Sequence, residues 1–193
     1  MIPETLKPEC VPADMYQFHC VMSPARAARN LARHLNDTDG PARMIEMPMS
    51  GGRSSWLDDL FRAIREGTFP DAVWLIAHGE LEVPIPSGVK TGRGGRATSL
   101  VLEIARHAVG HSLSLDIAGI ATDGGDGNSG SGGGFLTAED VKRLSADELE
   151  AAIGSFDSAT WLAAHDRLYE GVPTGTNLGD FLLVRLRPRG ASR

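Results

Sequence analysis

With 193 residues, 41% of them hydrophobic, the chain is long enough to bury one sizeable core, and we expect a single domain. Its net charge of -6 argues against nucleic acid and anionic membranes as partners, and its two cysteines suggest neither a disulfide framework nor a metal site. The sequence shows no signal-peptide core and no apolar run of membrane-spanning length, so a cytoplasmic location is expected.

Strand-like and helix-like segments alternate along the chain. Apolar runs bounded by glycine or proline predict strands, and apolar residues at three- and four-residue spacing predict helices. Strands are expected at 17–22, 43–47, 72–77, 115–121 and 181–186, and helices at 25–35, 56–66, 97–109 and 157–169. Ser23, Thr137 and Ser145 are typical N-caps of helices. The alternation predicts an α/β fold of three layers, a mostly parallel sheet with helices on both faces.

This domain accounts for nearly the whole chain. We assign residues 16–187 to it. Residues 1–15 hold three prolines and are expected to form an irregular lead-in, and the arginine-rich end at 188–193 is expected to be a frayed tail.

The most distinctive stretch is the glycine-rich run at 122–134, which follows the strand expected at 115–121. Seven of its thirteen residues are glycine, and a loop is predicted because glycine loses much backbone entropy inside a regular element. One interpretation is a flexible linker. We favour a ligand site, because Asp123 and Asp126 stand at the end of a strand, where α/β sheets bind ligands and where carboxylates hold Mg²⁺.

Other glycine-rich turns also stand beside predicted strands. They occupy residues 50–55, 87–98 and 171–180. If the last of these crosses the sheet edge at which the other strands end, polar side chains from three turns converge on one pocket. Those side chains are Arg96, Asp123, Asp126, Thr174, Thr176 and Asn177. Arginine, hydroxyl groups and amides near a helix start suit an anionic ligand such as a phosphate or a carboxylate.

Three other site chemistries fit less well. The serines at 50, 129 and 131 lack the strained elbow of a hydrolase, and no histidine is placed to serve them. The stretch 92–96 puts bulky arginines where a dinucleotide-binding turn brings its backbone to pyrophosphate. His107 and His111 have the spacing of a zinc pair, but the helix is expected to end between them and no third ligand is in view.

Five motifs, in the same order, resemble those of the MOFRL domain, the C-terminal domain of the kinases that phosphorylate glycerate at its 2-hydroxyl. They are Gly79-Glu80, Gly92-Arg93-Gly94-Gly95-Arg96, Thr122-Asp123-Gly124-Gly125-Asp126-Gly127, Asp157-Ser158, and Pro173-Thr174-Gly175-Thr176-Asn177 with Asp180. The resemblance extends over residues 74–186, and the two strand-helix units before them look like the start of the same domain.

The resemblance implies roles for particular residues. Arg96 and Asp123 would be catalytic, with Arg96 holding the carboxylate of glycerate or a phosphate. Asp126 would bind Mg²⁺, and ATP would be the phosphoryl donor. The remaining substrate-binding or phosphate-binding residues would be Gly94, Gly95, Thr122, Gly124, Thr174, Gly175, Thr176 and Asn177.

The sequence also departs from the family pattern. Arg93 stands where lysine is usual, Ala97 where asparagine is expected, Gly130 where an aspartate is expected, and Val172 where glycine precedes the proline. The larger preceding domain, which in the family supplies a lysine and half of the cleft, has no counterpart among the 193 residues.

Three hypotheses for the function follow. The chain is half of a glycerate-kinase-like phosphotransferase, completed by a separate protein that carries the other domain or by self-association. Alternatively, it is a stand-alone module that binds or senses a small anionic metabolite. In the third hypothesis, the motifs persist only because the turns need them structurally.

Overall fold

Six strands and six helices follow one another in the part of the chain that the computed structural model describes, residues 19–70 and 73–187. The expected lead-in at 1–15 and tail at 188–193 lie outside the described residues. The helices are α1 (Pro24–Thr38), α2 (Arg53–Arg65), α3 (Arg96–Gly110), α4 (Ala138–Arg143), α5 (Ala146–Gly154) and α6 (Ser158–Ala164). The strands are β1 (Ala42–Met44), β2 (Trp74–Gly79), β3 (Leu115–Ala121), β4 (Ser131–Leu136), β5 (Leu168–Glu170) and β6 (Asp180–Leu186).

The strands form one mixed sheet in the order β1-β2-β6-β3-β4-β5. Among these described strands only β1 and β2 pair in parallel, and the other four pairings are antiparallel. The α/β class expected from the sequence is confirmed, whereas the expectation of a mostly parallel sheet is wrong. The chain enters β6 at the edge where β2 and β3 end, so β6 runs against both neighbours. β4 returns beside β3 without a crossover helix, which also makes that pair antiparallel.

Helices cover both faces of this sheet. On one face α1 packs through Ala28 against a small cluster that includes Ile76 and Phe181. The other five helices lie on the opposite face and share the main core, in which Leu102 and Ile104 of α3 are fully buried. None of the helices within residues 19–70 and 73–187 is long and apolar enough to cross a membrane.

The expected N-caps begin three of the helices. The Ser23 hydroxyl accepts a hydrogen bond from the N–H of Arg26, and Thr137 and Ser145 cap α4 and α5 in the same way. Each cap satisfies one of the backbone donors that a helix start leaves without a partner. These three local signals in the sequence are therefore confirmed.

The glycine-rich run at 122–134 is only partly a loop, because its last four residues begin β4. Glycine is tolerated there because the strand lies unusually close to its neighbours. Gly133 has a φ of +134°, and a Cβ atom at this position would collide with the carbonyl oxygen of Gly119. A Cβ atom on Gly134 would lie 2.7 Å from a methyl carbon of Leu162. The prediction of a loop throughout this run was wrong.

Two other expectations from periodicity also differ from the structure. Residues 19–22 of the strand expected at 17–22 are irregular, and residues 17–18 are not described. The helix expected at 157–169 ends at Ala164, and residues 168–170 form β5. The intervening Asp166 has a φ of +56°, a left-handed conformation that cannot continue a helix.

Leu102→Ala is expected to lower the free energy of unfolding by about 2–5 kcal/mol, because it leaves a cavity where α3 packs in the main core. Val21→Ala, at a position that is 79% exposed, is the matched control and is expected to change stability by less than about 0.5 kcal/mol. Urea unfolding followed by circular dichroism measures both. Equal losses in the two variants would contradict the central place of α3 in the core.

Asp140 links α4 to the turn before β5, and its ionisation is expected to make stability depend on acid pH. Its carboxylate accepts hydrogen bonds from Arg167 at 2.8 and 2.9 Å. It also accepts a hydrogen bond from the backbone N–H of Thr137, the N-cap residue of α4. The Arg167 guanidinium, followed by the Thr137 donors, holds the pKa of Asp140 at about 2.

A carboxylate with a depressed pKa in the folded state contributes stability above its unfolded pKa and loses it as the pH falls towards the folded value. Between about pH 4 and pH 2, urea titrations of Asp140→Asn are therefore expected to show a weaker loss of stability than the parent chain. The Asp140 assignment fails if both proteins lose stability equally over this range.

Candidate functional site

Three chain segments meet at one edge of the sheet. β2 and β3 end there and β6 begins there, with Asp180 paired to Gly79 on one side and to Ala121 on the other. The loops beyond this edge surround a cavity of about 330 Å³. Its lining is glycine backbone together with apolar and polar side chains, namely Val83, Ile85, Thr91, Gly92, Gly94, Gly95, Arg96, Ser99, Gly125, Asp126, Gly127, Asn128, Phe156 and Asp180.

Arg96, the first residue of α3, is the cation of this cavity and is held by two carboxylates. Its Nε donates to Oδ2 of Asp180 at 2.8 Å, and one of its Nη groups lies 3.1 Å from Oε1 of Glu80. The Asp180 side chain is 5% exposed, whereas that of Arg96 is 45% exposed. The ion pairs therefore fix the guanidinium in one orientation, while the side chain stays exposed enough for a ligand to reach it.

The two members of the Arg96–Asp180 pair respond differently to this environment. Burial raises the pKa of Asp180, although the bond from Arg96 acts in the opposite direction. The hydrogen bond to Asp180 is the main cause of a raised pKa at Arg96. Arg96 therefore stays charged at any physiological pH, and its charge keeps a buried carboxylate ionised more readily than burial alone would allow.

Asp126 caps the N-terminus of α3 from a distant loop. Its carboxylate accepts hydrogen bonds from the N–H groups of Ala97 and Thr98 at 2.9 Å and from the Thr98 hydroxyl at 2.7 Å. Only 3% of the residue is exposed. The N-cap residue itself is Gly95, which has no side chain to supply this bond and on which a Cβ atom would collide with the carboxylate.

This geometry gives Asp126 a structural role, the cap of α3, that the sequence did not reveal. Three protein donors already use both of its oxygens. Within the described residues no group of three or more histidine, cysteine, aspartate or glutamate side chains is placed to hold a metal ion. The role of Asp126 as a Mg²⁺ ligand stays a prediction.

The loops that carry Thr122 and Thr174 are fastened to each other. The Thr122 hydroxyl donates to the carbonyl of Gly179 at 2.7 Å, and the Thr174 hydroxyl donates to the carbonyl of Thr122. Gly124, with a φ of +88°, approaches so closely that a Cβ atom would collide with the carbonyl of Val172. The two loops therefore form one packed unit beside the cavity.

Several groups that were expected to bind phosphate make hydrogen bonds within the protein instead. The N–H of Gly94 donates to Oδ1 of Asn128 at 2.7 Å, and the N–H of Gly95 donates to the Thr98 hydroxyl at 2.9 Å. Asn177 accepts a hydrogen bond from the N–H of Gly179 at 3.0 Å. These groups shape the loops, and the two glycine amides are no longer available as donors to a ligand.

The structure brings the predicted site residues to one rim but divides them between two parts. Gly94, Gly95, Arg96 and Asp126 line the cavity. The others lie outside it on the packed loops, namely Thr122, Asp123, Gly124, Thr174, Gly175, Thr176 and Asn177. Asp123 is exposed, and one of its oxygens accepts a hydrogen bond from the N–H of Gly125 at 3.0 Å.

Four further residues at this site were not among those predicted from the sequence. Glu80 and Asp180 stand inside two of the motifs, so their motif positions were an available signal. Asn128 lies in the glycine-rich run and bonds to both Gly94 and Gly92. Phe156 carried no signal, since nothing in the sequence separates it from a core aromatic residue.

The MOFRL family matches residues 73–180, which is more than half of the 193-residue chain. The chain belongs to the MOFRL family. The matched MOFRL region includes Glu80, Arg96, Asp126 and Asp180, and thus every charged side chain of the cavity and its mouth described above.

Curated relatives of this MOFRL chain are glycerate kinases, of which it spans only a part. It is 34% identical over 144 residues to the glycerate kinase of Macaca fascicularis, covering 69% of this chain and 34% of the relative. It is 36% identical over 128 residues to the human glycerate kinase, covering 61% of this chain and 23% of the relative. The chain therefore spans about a third or less of the length of these relatives.

Two solved structures share the MOFRL fold. The PH0495 protein of Pyrococcus horikoshii OT3 matches with a TM-score of 0.72 and 23% identity over 88% of this chain and 39% of its own. A glycerate kinase of Thermotoga maritima matches with a TM-score of 0.69 and 24% identity over 86% of this chain and 41% of its own. At these identities the two structures establish the fold alone.

Asp126→Ala is expected to lower the free energy of unfolding by about 1–3 kcal/mol, because α3 loses its cap and buried donors lose their partner. The matched control is Asp123→Ala, at an exposed aspartate of the same loop, with an expected change below about 0.5 kcal/mol. Urea unfolding of both variants measures the difference. Equal stability of the two variants would refute the capping role.

Proposed function

We propose that the chain contributes one half of a glycerate-kinase-type phosphotransferase site and binds a small anion, a glycerate carboxylate or a phosphate, at Arg96. The observation that carries the proposal is the guanidinium held by Asp180 and Glu80 at a cavity of about 330 Å³. A guanidinium fixed in this way offers a preorganised donor edge to a carboxylate or a phosphate.

The charge balance of the rim supports a half-site rather than a complete one. Arg96 stands among Glu80, Asp126 and Asp180, and Asp123 lies on the adjoining loop. An anion bound here gains from one cation but is repelled by these carboxylates. We infer that further positive charge comes from outside this rim, either from a separate protein that carries the other domain or from a second copy of the chain.

Solvent exposure of the rim supports the same conclusion. Residues 171–177 are exposed, as is Asp123. Phosphoryl transfer needs water to be excluded around the reacting groups, and enzymes achieve this by closing a second wall over the substrate. The relatives named glycerate kinase are much longer than this chain, which is consistent with a second wall supplied by another part of the protein.

The carboxylates of the described residues fit Mg²⁺ only when the ion arrives already bound to the phosphates of the phosphoryl donor. They form no closed set, since Asp126 is engaged in capping α3. Magnesium that arrives with the phosphates of ATP needs only one or two protein carboxylates, and the exposed Asp123 is the candidate on this chain. Such an ion would neutralise charge on the transferred phosphoryl group.

A second candidate function is a non-catalytic module that binds or senses a small metabolite. The specific observation in its favour is that Gly94, Gly95 and Asn177, expected to bind phosphate, hydrogen-bond within the protein. A phosphotransfer assay distinguishes the two functions. We expect ADP formation from ATP and glycerate when the preceding domain of a longer MOFRL relative is supplied in trans, whereas a binding module would remain inactive.

The anion site itself is tested by thermal shift with inorganic phosphate, glycerate and Mg-ATP. At a hundredfold excess over Kd, a bound ligand raises stability by about 2.7 kcal/mol. Arg96→Ala is expected to abolish the shift. Arg62→Ala, which removes an exposed arginine paired with Asp59 on α2, is expected to retain it. If the parent responds to no ligand, the proposed function fails; if Arg96→Ala responds like the parent, the role of Arg96 is wrong.

A further inference from the structure

Phe156 has a backbone conformation that phenylalanine rarely adopts. Its φ is +52°, in the left-handed region. The N–H of Asp157 bonds to the carbonyl of Ala152 and the N–H of Phe156 to that of Ile153, both at 3.0 Å. These two bonds are the Schellman ending of α5, and the residue at the position of Phe156 in this motif is usually glycine. A bulky side chain is therefore present where the backbone disfavours it, which calls for a compensating role.

The cavity beside Arg96 supplies such a role. Phe156 is only partly buried, and it lines this cavity together with Val83 and Ile85. Ile85 is 53% exposed and stands between two prolines, which restrict the backbone of its segment. The cavity thus combines an apolar wall with the polar groups around Arg96.

Hydrogen bonds tie the part of this wall that carries Phe156 to the loop that leads into α3. The N–H of Gly92 donates to the carbonyl of Ser155 at 3.1 Å. The N–H of Arg93 donates to Oδ1 of Asp157 at 2.8 Å. Both neighbours of Phe156 are therefore anchored to the segment that ends at Arg96, which links the backbone at Phe156 to the start of α3.

We propose that Val83, Ile85 and Phe156 form a subsite for a flat ring on the ligand whose anionic end lies at Arg96. This inference rests on the anion site proposed above and names the class of its ligand, an anion that carries a ring. The cavity of about 330 Å³ falls in the range of sites for drug-sized ligands, about 300–1,000 Å³, and exceeds what a bare phosphate fills. Aromatic faces stack on the rings of aromatic acids and of nucleoside phosphates alike.

Inorganic phosphate and phenyl phosphate form a matched pair of probes that differ by one ring. In calorimetric titrations the parent chain is expected to bind phenyl phosphate about tenfold more tightly than inorganic phosphate. Phe156→Gly is expected to bind both equally and to bind inorganic phosphate as the parent does. Glycine suits the left-handed backbone at this position, so the variant is expected to fold with an unchanged or higher Tm.

Phe135→Ala is the control, since the Phe135 ring packs against that of Tyr169 on the sheet and does not line this cavity. It is expected to retain the preference for phenyl phosphate. The subsite is overturned, while the anion site stands, if the parent binds inorganic phosphate without preferring phenyl phosphate or if Phe156→Gly keeps the preference. If the parent binds neither probe, the ring subsite falls, and the anion site falls with it when glycerate and Mg-ATP also give no thermal shift.

Two further ligands separate the sources of the ring. AMP represents the nucleoside phosphates, and 3-phenyllactate, compared with glycerate, represents aromatic hydroxy acids. If AMP binds more tightly than inorganic phosphate, or 3-phenyllactate more tightly than glycerate, and Phe156→Gly loses that gain, the class of that ligand is identified as the occupant of the subsite. If neither gains affinity over inorganic phosphate or glycerate, the proposal that the ligand is a nucleoside phosphate or an aromatic hydroxy acid is overturned.

Discussion

The carboxylate of Asp126 at the start of α3 is the contact on which the rest of the site depends. It joins the loop after β3 to the central helix of the main core through hydrogen bonds to Ala97 and Thr98. Because Arg96 is the first residue of the same helix, this contact also sets the position of the cation at the cavity. Loop, helix and guanidinium therefore form one unit, and a shift in any of them displaces the others.

This cap changes what the glycine-rich turn can offer a ligand. A helix N-terminus preceded by glycine usually attracts anions through its free N–H groups and its partial positive charge. Here an internal carboxylate already occupies that position, which leaves Arg96 as the principal cation of the cavity. Asp180 and Glu80 then orient the guanidinium while offsetting its charge. The guanidinium is thus held in a defined orientation, but the rim attracts anions less strongly.

Local signals in the sequence were enough to predict α3, β3 and the helices that begin after Ser23, Thr137 and Ser145, because each depends on residues close in sequence. Long-range contacts were not predictable in the same way. The insertion of β6 between β2 and β3 is a tertiary pairing. The strand β4 likewise depends on its pairing with β3 and β5, and its glycines permit the close approach to neighbouring residues. The capping role of Asp126 was not predictable either, because its partners lie 28 and 29 residues away in sequence.

Most hydrogen-bond donors of the rim bond within the protein, which is consistent with a rim that forms one side of a shared site. The hydroxyls of Thr122 and Thr174 and the amides of Gly94 and Gly95 hold the loops in place, so their contribution to a ligand is positional rather than direct. On the proposed function, this chain then contributes orientation, through a fixed guanidinium and an apolar wall. The second wall would contribute the additional positive charge and the exclusion of water. Neither contribution would suffice alone, because transfer of a phosphoryl group needs both aligned reactants and stabilised charge.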